Sequence, residues 1–271
     1  NGVIARNSGR LGKELWTDGE IGEAISLYAG YNEHDEARYI VEQAEQWLLD
    51  GNNRSSVAIL YRSNAQSRVL EEALIRNAIP YRIYGGQRFY ERLEIRNALA
   101  YLRLLLNRGD DAAVERVINT PPRGIGSKTL DAVRGCARDR GIPLWGAITA
   151  VLEEKRLPAR ALSALEGFII LINELDSGTG DLLLEGLVDH TIQTSGLFQY
   201  HKNEKGEKGQ ARVENLEELV SAAKQFVAED DDRSPQQQFL DRAALDAGDA
   251  QAEEHEDSVQ LMTLHSAKGL E

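Results

Sequence analysis

The sequence is short of sulfur, proline and aromatic rings: one cysteine, one methionine, six prolines and 6% Phe, Trp and Tyr among 271 residues. The lone Cys136 makes no internal disulfide, and neither a CxxC pair nor a cysteine/histidine cluster at zinc-ligand spacing occurs. Disulfide scaffolds and zinc modules are thereby excluded, no metal ligands are expected, and the expected setting is reducing and cytoplasmic. No apolar run approaches the ~20 residues that span a bilayer, and the first residues carry no basic-then-apolar targeting pattern, so a soluble chain with no membrane partner is expected. Also missing are GxxxxGK[ST], GxGxxG, GxSxG and HExxH, and Cys136 has no evident catalytic base beside it among Arg134, Ala137 and Arg138. The chain is therefore not expected to hydrolyse ATP alone. What is present, 42% hydrophobic and 28% charged residues, is ordinary for a globular chain and excludes collagen and disorder. The length suits roughly two domains of about 150 residues. Because the chain starts at Asn1 rather than Met and stops inside a patterned segment at Glu271, it is expected to be a piece of a longer protein.

Bases are outnumbered, 31 against 44 acids, for a net charge of −13. That balance argues against a nucleic-acid partner until its location is considered. From Glu229 to Asp257 there are eleven acidic residues against Arg233 and Arg242, so most of the excess sits in one tract, read as a solvated face and linker. Thr120 to Arg140 carries five bases against two acids, and Lys202 to Arg212 four against two. The basic surface is local.

Residues 1–85 alternate strand and helix patterns. Ile25–Ala29, Val57–Tyr61 and Pro80–Tyr84 read as strands, and Asp35–Leu49 and Ala65–Asn77 as helices with apolar residues at spacings of three and four. Such alternation implies a parallel sheet. Beyond Gly86 the periodicity is helical to about residue 245, after which Val259–Leu264 returns as a strand. The expected fold is an α/β domain interrupted by a large all-helical insertion, with the last strand rejoining the first sheet.

Three segments suit anion chemistry. In Tyr61–Arg68 a buried strand runs into a helix capped by Ser63 or Asn64, which sets Arg62, Asn64 and Gln66 where α/β sheets gather ligands. An ordinary capped helix with solvated polar residues would use the same residues. Leu264–Glu271 repeats the pattern, with small Ser266, Ala267 and Gly269 beside His265 and Lys268. In Asn119–Leu130, Gly124 and Gly126 flank Ile125 just before a helix. Sharp turning would there point free amides outward while Ile125 anchors the loop, Ser127 caps the helix, and Arg123, Lys128 and Thr129 stand alongside. Such a turn grips a phosphodiester without reading bases, although a plain interhelical turn is the simpler alternative. Lys205–Arg212 is glycine-punctuated and basic, fit for a flexible second backbone contact or a solvated loop. Gly85-Gly86 could act as a hinge, with the neighbouring aromatics Tyr84, Phe89 and Tyr90 read as core rather than as stacking platforms.

Taken together and in order, Tyr61–Arg68, Tyr84-Gly85-Gly86, Glu94–Arg103, Asn119–Gly126 and Thr263–Glu271 resemble the superfamily 1 DNA helicases of the UvrD/PcrA/Rep type over essentially the whole chain. The resemblance implies that residues 1–85 and 258–271 belong to the second RecA-like motor domain, and that 86–257 form a mobile helical subdomain on duplex DNA. It implies that Arg62 and Asn64 touch the single strand. His265 would contact a strand phosphate, and Glu271 the ribose of ATP. Gly124, Ile125, Gly126, Lys128 and Thr129 would hold the duplex, a grip extended by Arg123, Lys205, Lys208 and Arg212. The family's phosphate-binding loop, Mg²⁺ carboxylates and arginine finger lie outside this stretch, so the fragment is expected to carry no catalytic residue and to be inactive alone.

The implied whole uses ATP and Mg²⁺, moves 3′ to 5′ on single-stranded and forked DNA, and serves mismatch and nucleotide-excision repair. Its implied partners are the first RecA-like domain of the same full-length chain and repair proteins such as MutL, in a nucleoid-associated cytoplasmic setting. The rival reading of the residues is a non-enzymatic helical module that docks partner proteins.

Overall fold

The structure, a computed structural model, describes residues 22–180, 182–229, 232–248 and 255–268. Helix α1 (Glu33–Leu49) starts where Asn32 accepts the Asp35 amide at 2.9 Å, and Glu33, Asp35 and Glu36 set negative charge against the free amides of its first turn. Strand β1 (Ala58–Tyr61) passes through a 3₁₀ turn at Asn64–Gln66 into α2 (Ser67–Arg76), and β2 (Tyr81–Tyr84) follows. The helical block comprises α3 (Leu93–Leu106), α4 (Asp111–Val117), α5 (Ser127–Arg140), α6 (Leu144–Glu154), α7 (Ala159–Ser177), α8 (Leu184–Thr194), α9 (Leu197–Lys202), α10 (Glu207–Gln225) and α11 (Pro235–Gly248). After it come β3 (Val259–Thr263) and the short α12 (Leu264–Ala267).

The chain is a mostly helical α/β structure with a small three-stranded parallel sheet of order β1-β3-β2, in which Tyr61 lies opposite Thr263 and Tyr84 opposite Met262. Alternate residues Ile59, Tyr61, Tyr81, Ile83, Val259 and Leu261 bury one sheet face against Ala37, Val41, Val69, Leu70 and Leu74 of α1 and α2. A second, larger core lies within the helical block, where Leu165, Phe168, Ile172 and Leu175 of α7 follow the three-and-four spacing and are fully buried.

Three expectations are corrected. Ile25–Ala29 is not a strand: Ile25 and Leu27 are 100% and 96% exposed. Apolar alternation forms a strand only where a ladder partner takes up its amides and carbonyls, and none pairs with it among the described residues. Tyr28 is held, stacked on Tyr39 at 3.9 Å and donating to Asp35 at 2.9 Å. The basic segment is no flexible loop either, because α10 begins at Glu207. Its Gly209 is required for packing, since a Cβ there would meet the His201 carbonyl oxygen at 2.8 Å. Helix α9, unread in the sequence, precedes it. The acidic tract is only partly a solvated linker: Asp257 accepts the Arg54 and Ser55 amides at 3.0 and 2.8 Å and ties the entry of β3 to that of β1.

Candidate nucleic-acid interface

Parallel strands bring their carboxyl ends to one edge of the sheet, the edge at which open α/β sheets collect ligands. Tyr61 and Thr263 are register partners, so Arg62, one residue beyond β1, and His265, two beyond β3, share that edge, and both are exposed. The turn between them is built by side chains. Gln66 accepts the Arg62 and Ser63 amides, each at 3.0 Å, and so closes its own turn instead of projecting toward a ligand. Ser63 occupies the cap position but donates its hydroxyl to Glu214 of α10 at 2.6 Å. Asn64 is half-buried, with its carbonyl held by Arg92 at 2.9 Å. On β3, Thr263 accepts the Ser266 amide at 3.1 Å and starts α12. At the end of β2, Gly85 has φ +75°, and a Cβ there would stand 2.7 Å from Ser266 Oγ, so this close approach needs glycine. Glu271, with Gly269 and Leu270, lies outside the described residues.

In the glycine turn, Gly124 takes φ +80° and Ile125 is 1% exposed, the anchor its sequence position suggests. Gly126, not Ser127, occupies the cap position of α5, and Ser127 is the first helical residue. Asn119 Oδ1 accepts the Arg123 and Ile125 amides at 2.7 and 3.2 Å. The Gly124 and Gly126 amides meet no acceptor among the described residues, and both glycines are exposed next to exposed Lys128. Two open amides and an ammonium suit an anion.

Other members of the expected duplex set face inward. Arg123 donates to the Val117, Pro121 and Ser195 carbonyls at 3.0, 3.1 and 2.9 Å and to the Tyr101 hydroxyl at 2.5 Å. Its guanidinium therefore fastens the turn to the α8–α9 junction, because five donors in a rigid fork satisfy several buried carbonyls at once. Thr129 is buried, facing the core one turn into α5. Arg212 is paired with Glu204 at 2.6 Å and lies 3.7 Å from Glu94, whereas Lys205 and Lys208 are exposed. The two kinds of basic residue should separate in urea unfolding. Arg123→Ala leaves buried acceptors unpaired and should cost about 2–3 kcal/mol, while Lys128→Ala should stay within about 0.5 kcal/mol. Equal midpoints for the two variants would put the Arg123 guanidinium in solvent.

Sequence reasoning missed the polar junction beneath the strand-end edge. Arg92, just before α3, donates to Gln87 O at 3.2 Å, Asn64 O at 2.9 Å, Asn215 Oδ1 at 2.9 Å and Ser67 Oγ at 2.7 Å. Its guanidinium stands 4.0 Å from the Glu71 carboxylate, which also accepts the Ser67 hydroxyl at 2.6 Å and the Phe89 amide at 3.2 Å. Burial pushes the Glu71 carboxyl up to about 7 and lowers the Arg92 pKa. Arg68 reaches Glu218 of α10 at 2.6 Å and Glu72 at 2.8 Å. The available signal was the Ser67/Glu71 spacing of four beside Arg88 and Arg92, which bracket the apolar pair Phe89-Tyr90.

The family model of the UvrD-like helicase C-terminal domain matches residues 1–271. The chain is 58% identical over 273 residues to DNA helicase II of Escherichia coli K12, covering all of this chain and 38% of that protein. It is 52% identical to DNA helicase II of Haemophilus influenzae, with the same coverage. It is also 42% identical over 289 residues to ATP-dependent DNA helicase UvrD1 of Mycobacterium tuberculosis H37Rv, covering 37% of that protein. The chain thus spans about two fifths of the length of the relatives it matches.

Proposed function

The chain belongs to the UvrD-like helicase C-terminal domain family, and from that membership we propose that it is part of an ATP-driven DNA helicase to which it contributes strand and duplex contacts. Within this reading, residues 1–85 and 258–271 form part of a RecA-like motor domain, and 86–257 form its helical duplex-binding insertion. The whole enzyme would use ATP and Mg²⁺ and translocate 3′ to 5′ on single-stranded and forked DNA. It would act in mismatch and nucleotide-excision repair, with the first RecA-like domain and repair proteins such as MutL as partners, in the cytoplasm at the nucleoid.

The observation that carries the reading is the register of β1 against β3, which aligns Arg62 and His265 on one edge. Arg62 would hold a strand phosphate through its guanidinium, His265 would donate from an imidazole nitrogen, and the Arg92 grip on Asn64 O would keep the turn in place. The exposed amides of Gly124 and Gly126, with Lys128, Lys205 and Lys208, would hold duplex backbone, giving sequence-independent, salt-sensitive binding. ATP supplies the driving reaction in the whole enzyme. Glu271, the residue read as touching its ribose, lies outside the described residues, and no group of three or more His, Cys, Asp or Glu side chains that could hold a metal occurs among the described residues.

Fluorescence anisotropy of the chain with a tailed duplex at low salt tests this reading. Arg62→Ala and His265→Ala should each weaken single-strand binding about tenfold, ~1.4 kcal/mol for one lost charged hydrogen bond. Undiminished binding in both variants would remove the strand-end assignment. Absence of any DNA binding by the parent chain would favour the helical interaction module.

A further inference from the structure

With Arg123 and Arg212 turned inward, any cation near the glycine turn besides Lys128 must be sought elsewhere, and a cleft of about 550 Å³ lined in part by Thr120 opens close to it. Asn97, Arg116, Thr120, Tyr200, His201 and Arg212 line it. Arg116 of α4 is half-buried and has no carboxylate partner among the described residues. Burial, and secondarily the Arg96 charge, lowers its pKa, so it is a cation without local compensation. His201 of α9 is 1% exposed; its Nδ1 lies 3.1 Å from Glu204 Oε1, while Nε2 is buried with no hydrogen-bond partner. Because a carboxylate only accepts, Nδ1 carries the ring proton, which leaves Nε2 as an unmatched buried polar atom on a residue that lines the cleft.

We propose that this cleft is a phosphate-binding site, in which Arg116 donates to one oxygen and His201 Nε2 to another. Neutral His201 has no proton on Nε2, so binding takes up one proton from solvent and the ring becomes an imidazolium bridging Glu204 and the phosphate. The charged groups acting on that ring are Glu204 on its own turn, Arg212 of α10 and Glu94 of α3, while Arg116 and Glu115 of α4 line the same cleft. Glu115 is engaged by Arg134 at 2.6 Å, so it leaves room for an incoming anion. Only the source of the phosphate rests on the duplex reading: a DNA backbone passing the glycine turn reaches the cleft at Thr120, whereas a free phosphate would enter without it.

The test follows side-chain ¹⁵N resonances of the five histidines in the intact chain, with His201 identified by its loss in His201→Gln. Sulfate is the first probe, because it is tetrahedral and does not titrate near neutrality; chloride is the control at equal ionic strength. Sulfate should convert His201 Nε2 to the protonated form, more tightly at pH 6 than at pH 8 by up to about tenfold per unit, and Arg116→Gln should abolish the response. A tailed duplex is the second probe. If the source is DNA, it should give the same conversion, and Arg116→Gln should weaken duplex binding about fivefold and lower the log–log salt slope by about 0.9. A response to sulfate but not to DNA would assign the site to free phosphate. Duplex binding that falls in Lys128→Ala but is untouched in Arg116→Gln and His201→Gln, with His201 silent to both probes, would overturn the cleft and leave the duplex reading standing. Arg116 is half-exposed, so its variant folds even should His201→Gln not.

Discussion

Arg92→Ala should lower the unfolding free energy by about 3–5 kcal/mol, because several buried acceptors lose their donor at once, each at about 1–3 kcal/mol. The Arg92 guanidinium serves four acceptors from four segments: the β2–α3 crossover at Gln87, the strand-end turn at Asn64, α2 at Ser67 and α10 at Asn215. Truncation would leave Asn64 O and Asn215 Oδ1 without their donor and the Glu71 carboxyl without its nearest cation. Replacing all partners by apolar groups could be neutral, but removing one strands the rest in a medium that cannot hydrate them. Arg92→Lys should recover less than half of the loss, because one ammonium cannot fan out to four acceptors. Urea midpoints of the parent and both variants measure this, and a loss under about 1 kcal/mol for Arg92→Ala would place the guanidinium in water. Because Arg92 also holds the turn behind Arg62, single-strand affinity should fall in the same variant while Lys128-dependent duplex binding stays.

The elements legible in the sequence are those whose identity is set locally. Val57–Tyr61, Pro80–Tyr84 and Val259–Leu264 are apolar runs bounded by turn residues, and each contains one of the observed strands. The helices of the block announce themselves by spacing, and Ile125 by being the one apolar residue in a polar turn. What the sequence withheld depends on partners far along the chain. Ile25–Ala29 has strand composition, yet no ladder receives it among the described residues. That β3 enters between β1 and β2 depends on pairing across the entire helical block, which no local pattern encodes. Charge type is similarly silent about direction: Arg123 and Lys128 look alike as bases beside a glycine turn, but the carbonyls of Val117, Pro121 and Ser195 converge on the first and no acceptor among the described residues meets the second. The sequence is equally silent about the burial of Ser67, Glu71 and Arg92. Burial of a charge is decided by tertiary neighbours, here α10, and those neighbours supply the hydrogen bonds that make it tolerable.

The same junction should make the chain lose stability as pH rises through the neutral range. The unfolded chain ionises Glu71 near its ordinary value of 4.5, whereas burial holds the folded carboxyl protonated up to about 7. Between those two values the native state binds more protons than the unfolded state, so the unfolding free energy declines with increasing pH; the contribution is full below 4.5 and gone above 7. At about 1.36 kcal/mol per unit, the decline attributable to this one group reaches about 3 kcal/mol at most. His201 works in the opposite direction: burial lowers its pKa, so its contribution is lost as pH falls through the range below 6.5. Carboxyls held down by hydrogen bonds, such as Asp35 under the Tyr31 amide and Asp257 under the Ser55 amide, act in a lower window still, below their ordinary value of 3.8. Comparison with Glu71→Gln isolates the effect, because the amide keeps an acceptor for the Phe89 N–H while having no proton to lose. Between pH 5 and pH 8 the parent should lose about 3 kcal/mol relative to that variant in urea titrations. A parent-to-variant difference that stays constant from pH 5 to 8 would mean that Glu71 is ionised in the folded chain throughout, and that Arg92 and the Phe89 amide outweigh the cost of its burial.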